Sequence, residues 1–570
     1  MEKKTKLRNW LAFLDAHILL IISTFLLLFI PLYPKIPLFD LIEGYIVRVR
    51  LEDFLIASAL IVYFIQLIRK KITLSTPLTK IIFFYILVGF LSTLSGIFIS
   101  QTIPTTQVHL LKSFLHFIRY IEYFSLFFLF ASAIKSKKDV SIISGTLVVC
   151  VLLISLYGLG QKYLYWPVYS TMNREFSKGI VLYLTEHARV QSTFAGHYDM
   201  AAYLVIVLPL ILAFLFQKNI KSTTRILLWS AYILGLLMMM LSASRTSLAG
   251  LVLGLFITIS IASLLEKTVL ERITFFLQQS IKNSIVFLIL FILFGSNMAE
   301  RLFQVVENYP QVITVQTGLQ NTKNYLIEKS QLAKYFTFTP EKPQNGLSTD
   351  QAAVLVASDT RPTPIKPSDV YVDVPDQIQV ATVSAQGETS YITIEIPRTY
   401  SDNALKHGLS MAIRLDTLWP QALSGFYTNP ALGTGYATLT KSTITEFTEA
   451  DSTDNNFLRT LGETGLLGFL SFYGSIGIAL MICKNIIQNK LESDVFKKLF
   501  SIGFIGATVG LLVNAVFIDV FAASKVAYTY WAITGVLVAY AKIQHTPIAA
   551  KRKISTQKKS RTKKNTFLNT

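Results

Sequence analysis

The sequence predicts an all-α polytopic membrane protein with about twelve transmembrane helices and one long hydrophilic region between them. Three observations predict this class. The 570 residues are 52% hydrophobic and 15% charged, with a mean hydropathy of +0.49, whereas soluble proteins carry about 25% charged residues. The apolar residues form segments of about 20, the length that crosses a bilayer as a helix. The lysines and arginines are grouped between those segments.

The predicted transmembrane helices form two sets, one on each side of the hydrophilic region. The first set lies near residues 14–34, 52–68, 80–100, 108–134, 140–160, 199–216, 226–243, 247–265 and 282–297. The second set lies near residues 457–482, 499–519 and 525–542. The first segment is long and has no small-residue cleavage site nearby, so we expect a retained helix and not a signal peptide.

These segments divide the chain into four parts. The predicted parts are a bundle of about nine helices at 1–297, a loop domain at 298–456, a bundle of about three helices at 457–543 and a basic tail at 544–570. Lysines and arginines cluster in alternate loops, at 69–71, 135–138, 218–225, 267–282 and 484–498, and in the tail. Because positively charged loops remain in the cytoplasm, both termini are predicted to be cytoplasmic and the loop domain extracytoplasmic.

The basic loops also account for the net charge of +19, so the expected partners of the basic residues are anionic membrane lipids and not nucleic acid. The same orientation puts Arg189, Arg245 and Asp454 on the outer face. A site needs its groups on one face of the membrane, so this convergence is the first indication of function.

The extracytoplasmic region 298–456 is long enough to form a small subdomain. Between 350 and 398 the apolar residues alternate, as they do at 370–374 and 391–396. This alternation predicts a small β-containing insert. After Ser401, apolar residues at helical spacing predict a helix that ends or kinks at Pro420.

Polar residues near the end of this region stand at the edge of the next apolar segment. Charged groups are costly there unless something pairs with them or uses them. Asp454 is therefore a candidate general base, and Asn455 is a candidate substrate-binding residue. The alternative is a helix cap, since both side chains accept hydrogen bonds from free backbone N–H groups. One of the two can cap the helix while the other acts on a substrate.

Two arginines of the extracytoplasmic loops are candidate anion ligands. Arg189 lies just before a predicted span, and Arg245 lies in a short hairpin between two spans. The guanidinium group offers a planar set of donors that suits phosphate oxygens. Ser244 and the start of the following helix add donors beside Arg245. Either arginine could instead extend its side chain to the membrane interface and bind no ligand.

His197 and Asp199 are spaced closely enough to share a metal ion. The other histidines are scattered along the sequence, so we predict neither a metal site nor a cofactor and keep these two as candidate substrate-binding residues. Arg119 and Glu122, three residues apart in the fourth span, are predicted to form a structural ion pair.

Motifs for nucleotide binding and for common hydrolases do not occur in a suitable context. The sequence contains no usable Walker A, Rossmann glycine, H-E-x-x-H or G-x-S-x-G pattern. An enzyme of this class that acts on the outer face is therefore expected to use a substrate that is already activated in the lipid phase.

Four segments of the chain resemble the superfamily of bacterial O-antigen ligases and O-antigen polymerases, which includes protein O-oligosaccharyltransferases. The matching segments are 189–210, 241–247, 414–435 and 454–468. They occur in the order and topology of the family, and the resemblance covers the chain from residue 180 to residue 482 apart from the insert. It implies a fold related to the GT-C glycosyltransferases.

The resemblance implies transfer or polymerisation of a glycan from an undecaprenyl-pyrophosphate donor, as in the assembly of lipopolysaccharide and other surface polysaccharides, on the outer face of the bacterial inner membrane. Arg189 and Arg245 would be catalytic residues that hold the pyrophosphate, and Arg414 would bind substrate. Asp454 would activate a glycan, lipid or protein hydroxyl. It stands where family members often have histidine, and a carboxylate has a different pKa and no N–H to donate.

Two other classes of function are open at this point. A secondary transporter commonly has about twelve spans, but a single long loop and the lack of an internal repeat disfavour it. A membrane scaffold or sensor, whose insert binds a partner, would tolerate the loss of Arg189 and Arg245.

Overall fold

The computed structural model of the protein describes residues 2–42, 48–171, 176–185, 188–303, 347–348, 376–383, 389–396, 399–439 and 452–543. Helices dominate this part of the chain, and eleven of them are long and apolar enough to cross a membrane. The prediction of an all-α polytopic membrane protein is confirmed to that extent.

Ten of the described helices precede the long hydrophilic region. They are α1 (Glu2–Leu32), α2 (Leu51–Ile68), α3 (Thr79–Phe98), α4 (Gln107–Ala133), α5 (Lys137–Tyr163), α6 (His197–Leu215), α7 (Ser222–Ser242), α8 (Arg245–Ser263), α9 (Val269–Phe294) and α10 (Ser296–Phe303). Two short strands, β1 (Pro37–Phe39) and β2 (Val49–Arg50), pair in antiparallel orientation between α1 and α2. Between α5 and α6 lie a 3₁₀ turn at Phe176–Lys178 and the strand β3 (Leu182–Tyr183).

The rest of the described chain contains three further strands and six further helices. β3 pairs in parallel with β4 (Leu347–Ser348), and β5 (Asp376–Val383) pairs in antiparallel orientation with β6 (Thr389–Ile396). Then come α11 (Asp402–His407), α12 (Leu409–Ile413), a π-helical turn at Arg414–Leu418 and α13 (Trp419–Thr428). The last three helices are α14 (Asn456–Gln488), α15 (Val495–Asn514) and α16 (Ser524–Lys542).

Two local predictions are corrected by the helix boundaries. Residues 267–282 do not form a loop, because α9 begins at Val269 with Thr268 as its N-cap and Glu271 completing a capping box. The helix does not end at Pro420. The backbone stays helical from α12 through the π-helical turn at Arg414–Leu418 into α13, and Pro420 lies just after that turn.

The twelfth predicted span forms the helix α16, but this helix does not reach the apolar composition of the other eleven. Its tyrosine and threonine side chains are buried inside the protein, as are Lys525 and Trp531. Polar side chains that face other helices can form hydrogen bonds there, whereas a lipid-facing helix cannot satisfy them. α16 therefore owes its lower hydropathy to its position inside the bundle.

A turn with two left-handed glycines, Gly433 and Gly435, packs against a kink in α14. Gly435, at φ +95°, donates its N–H to the Glu463 carbonyl oxygen at 2.9 Å, and Leu466 donates its N–H to the Pro430 carbonyl oxygen at 2.8 Å. Gly465, the kink itself, has φ +63°, and a β-carbon there would lie 2.4 Å from the backbone of the turn. The glycines therefore allow the turn and α14 to approach each other closely.

Small residues bring α8 and α15 together. A β-carbon on Gly250 would lie 2.4 Å from the Gly510 carbonyl oxygen, and one on Gly254 would lie 2.6 Å from the Gly506 carbonyl oxygen. Helices that share such small-residue faces gain close van der Waals contact along their backbones. This contact holds the start of α8 in place relative to the end of α15.

We expect Gly254→Val to destabilise the protein by about 1–3 kcal/mol, because the added methyl groups would push α8 away from α15. Thermal unfolding of the purified protein in detergent measures this change. Gly477→Val is the matched control, since a β-carbon on Gly477 meets nothing within 4 Å. Equal melting temperatures for the two variants would contradict the packing argument.

Candidate functional site

Arg189, the first of the predicted arginines, contacts the first turn of α6. The Arg189 guanidinium donates to His197 Nε2 at 2.5 Å and to the Tyr198 hydroxyl at 3.1 Å. Because an arginine always donates, the Nε2 atom of His197 is the unprotonated nitrogen of the ring. The next residue, Val190, donates its N–H to the Leu241 carbonyl oxygen at 3.1 Å, at the end of α7. This bond ties the Arg189 segment to the hairpin that carries Arg245.

The hairpin between α7 and α8 is a tight turn. Ala243 adopts left-handed backbone geometry, at φ +48°, and the buried Ser244 is the N-cap residue of α8. The Ser244 hydroxyl donates to Ser247 Oγ at 2.9 Å, and the Asn514 side-chain amide donates to the same oxygen at 2.9 Å. Ser244 therefore supports the turn, and Arg245 follows as the first residue of α8.

Arg301, in α10, belongs to this group and was not predicted. Arg245 donates to the Arg301 carbonyl oxygen at 3.2 Å, and the positive charge of Arg301 is close enough to act on the His197 imidazole. We call Arg189, His197, Arg245 and Arg301 the arginine cluster. A basic residue directly after the ninth predicted span was the available signal, but its closeness to Arg245 depends on the packing of α10.

Arg189 and Arg245 lack acidic partners among the side chains that the structure describes. Arg189 contacts an imidazole and a phenol, and Arg245 donates to a backbone carbonyl oxygen. None of the described carboxylates lies within ion-pair distance of either guanidinium group. Positive charge without a counterion favours an anionic ligand.

Asp454 lies in a strained loop directly before α14. Its φ of +49° is in the left-handed region, which costs free energy for a residue with a β-carbon. Arg414 forms an ion pair with Asp454 Oδ2 at 3.0 Å, and the Ser452 hydroxyl donates to Oδ1 at 2.9 Å. The Asp454 side chain is nevertheless 39% exposed. The carboxylate is thus oriented by two neighbours and still open to solvent.

Asn455 caps α14. The sequence had left open whether Asp454 or Asn455 would cap this helix. The Asn455 side-chain oxygen accepts the Leu458 N–H at 3.0 Å, and Asn455 is the N-cap residue of α14. Asp454 is consequently not needed as the cap. Asn455 is buried, so its side-chain oxygen serves the helix.

Asp519 holds this loop in place, and the sequence did not single it out as a site residue. Its buried carboxylate accepts hydrogen bonds from the Thr453 N–H and hydroxyl, each at 3.1 Å, and from the Asn455 N–H at 3.1 Å. Arg459 forms an ion pair with it at 3.1 Å. Asp519 therefore sets the path of the chain on both sides of Asp454. Such convergence of distant residues on one carboxylate has no signature in the sequence.

The predicted residues gather at one end of the bundle but not at one point. α8 and α14 both begin at this end, since Asn514 bonds Ser247 and the Asn456 N–H bonds the Ala515 carbonyl oxygen. Arg414 also reaches the Phe517 carbonyl oxygen at 3.3 Å. Arg189, His197 and Arg245 form one group, and Arg414 and Asp454 form a second.

Asp199 belongs to neither group. Two residues after His197 in α6, it lines a separate cavity together with Arg50 and Arg119. Arg119 bonds Glu122 at 3.0 Å, as predicted, and also bonds Asp53 at 2.6 Å. Among the described residues, no group of three or more His, Cys, Asp and Glu side chains is placed to hold a metal ion.

No protein-family model matches the chain, and no curated protein shows significant sequence similarity to it.

We expect Asp519→Ala to destabilise the protein by about 1–3 kcal/mol, because the buried N–H groups of Thr453 and Asn455 would lose their acceptor and Arg459 would keep only Glu463 as a counterion. Thermal unfolding in detergent measures the loss. The exposed Asp416, whose pKa is lowered by hydrogen bonds from Ser401 and Asn403, is the matched control. If Asp416→Ala destabilised the protein as strongly, Asp519 would not have the central role described above.

Proposed function

We propose that the protein is a membrane glycosyltransferase that transfers or polymerises a glycan carried on undecaprenyl pyrophosphate. The observation that carries the proposal is the arginine cluster, in which Arg189 and Arg245 have no acidic partner among the described side chains. The four segments that resemble O-antigen ligases and polymerases support the same assignment.

The arginine cluster suits a pyrophosphate leaving group. When the bond between the sugar and the diphosphate breaks, negative charge develops on the departing oxygen, and donors already in position stabilise it. Arginine binds phosphate oxygens through two parallel N–H groups. α6 and α8, of 19 residues each, begin at His197 and Arg245, and the positive ends of their helix dipoles add to the attraction.

Asp454 is the proposed activator of the acceptor. The acceptor hydroxyl oxygen would attack the anomeric carbon of the donor sugar, the bond from that carbon to the diphosphate oxygen would break, and Asp454 would receive the hydroxyl proton. The ion pair with Arg414 at 3.0 Å orients the carboxylate, and its 39% exposure leaves room for a hydroxyl group. A positioned base of this kind accelerates a reaction by about 10²–10⁴-fold.

The proposed location is the bacterial cytoplasmic membrane, with both termini in the cytoplasm and the residues 298–456 outside it. The basic loops and the eleven apolar helices support this arrangement. The acceptor would be a glycan, a lipid or a protein hydroxyl that reaches the outer end of the bundle.

We expect Arg189→Gln and Arg245→Gln each to weaken binding of an undecaprenyl-pyrophosphate glycan by about 10–100-fold, since each removes hydrogen bonds to a charged group. Titration of the glycan lipid into full-length protein in nanodiscs measures this. Arg225→Gln is the matched control, because Arg225 lies near the start of α7, opposite the Arg245 hairpin, and bonds only the Lys218 carbonyl oxygen in the described contacts. Unchanged donor binding in both test variants would refute the proposal.

We expect Asp454→Asn to lower the rate of glycan transfer by about 10²–10⁴-fold while donor binding stays unchanged, because the amide cannot accept the proton. The rate of transfer is measured from the amount of undecaprenyl pyrophosphate that is released. Asp402→Asn serves as the control, because Asp402 is an exposed carboxylate of α11 in the same region. Full transfer activity in Asp454→Asn would remove Asp454 from the mechanism and leave the donor site unaffected.

A further inference from the structure

A second polar cavity lies beside the arginine cluster, on the other side of the first turn of α6. Its volume is about 400 Å³, and its charged lining includes Lys35, Arg48, Arg50, Asp53, Arg119 and Asp199. It is separate from the arginine cluster, because Arg189, Arg245 and Arg301 do not line it. The proposed donor site does not account for a cavity of this size and charge.

Three of the lining cations are neutralised by the protein, among them Arg459 through Glu463 and Asp519. Lys35 forms an ion pair with the buried Glu52 at 2.5 Å and donates to Ser524 Oγ at 2.6 Å. Arg119 is paired with Asp53 at 2.6 Å and with Glu122 at 3.0 Å. These groups build the wall of the cavity and are not free to bind a ligand strongly.

Arg50 is different. Its side chain is 9% exposed, and no residue that the structure describes accepts a hydrogen bond from its guanidinium group or forms an ion pair with it. Burial away from water lowers the pKa of Arg50 by more than the nearby charges of Glu52 and Asp53 raise it, so an anion in the cavity would relieve an existing cost. The neighbouring Arg48 has one ion pair, with Asp40 at 2.5 Å, and a buried Nε–H without an acceptor.

Asp199 gives the cavity a second polar character. Its carboxylate lines the same space, close enough to Arg50 for the two charges to attract each other, and no described residue donates a hydrogen bond to it. A carboxylate repels a bare anion but accepts hydrogen bonds from hydroxyl groups. A ligand that satisfies both Arg50 and Asp199 therefore carries an oxyanion and hydroxyl groups together.

We propose that this cavity binds a sugar that carries an oxyanion, with its carboxylate or phosphate on Arg50 and its hydroxyl groups on Asp199. The oxyanion follows from the unpartnered Arg50 alone, whereas the choice of a sugar rests on the proposed glycan transfer. In that reaction the cavity is a subsite for an acidic residue of the glycan, outside the position of the diphosphate.

The test uses full-length protein in nanodiscs and three probes: sodium glucuronate, inorganic phosphate and glucose. Isothermal titration is expected to show saturable binding of glucuronate and weaker binding of phosphate. Glucose is expected to bind at least about tenfold more weakly than glucuronate, since it cannot form charge-assisted hydrogen bonds. Arg50→Gln is expected to weaken glucuronate binding by about 10–100-fold. Asp199→Asn is expected to weaken glucuronate binding but to leave phosphate binding unchanged or stronger.

Arg245→Gln separates this site from the arginine cluster and from the proposed function. Glucuronate binding should survive Arg245→Gln even though binding of the undecaprenyl-pyrophosphate glycan is weakened. Loss of glucuronate binding in Arg245→Gln but not in Arg50→Gln would overturn the proposal, because the ligand would then occupy the arginine cluster. Equal binding of glucuronate and glucose by the wild type, or no binding of glucuronate and phosphate, would also overturn it, whether or not Arg50→Gln folds.

Discussion

The ion pair and hydrogen bonds of Asp519 organise the end of the bundle on which the site depends. A carboxylate removed from water must be compensated by donors and a counterion, and Asp519 finds them in Thr453, Asn455 and Arg459. The same bonds define where α14 begins. They also leave Asp454 in a strained loop with its carboxylate exposed. The bonds that compensate the buried charge of Asp519 therefore determine the position of the exposed charge of Asp454.

Against this background, the arginines without counterions stand out. Arg459 and Arg119 each contact two described carboxylates, which is the usual arrangement for buried charge. Arg189, Arg245 and Arg50 contact none. Arg50 is buried, and Arg189 and Arg245 are half-buried. The two proposals assign anions to these three arginines, the first two at the arginine cluster and Arg50 in the neighbouring cavity.

Much of the architecture could be predicted because lipid imposes strong rules on sequence. Apolar runs of fixed length indicated the helices, and most observed boundaries lie within a few residues of the predictions. The error at α9 arose because hydropathy weighs composition, whereas Thr268 and Glu271 begin the helix by capping. Arg189 and Arg245 were identified from their loops. Their contact through Val190 and Leu241 was not, because it joins residues 51 positions apart.

The sequence by itself determined the membrane class, the helical segments and the residue types that can bind an oxyanion, because these depend on local composition and spacing. Only the tertiary structure decided which charges are paired. Asn455 became the cap and Asp454 the oriented carboxylate, Arg301 joined the arginine cluster, and Asp199 turned to the cavity of Arg50. The physical reason is that the cost of a buried charge depends on its neighbours in space, which the packing of distant helices supplies.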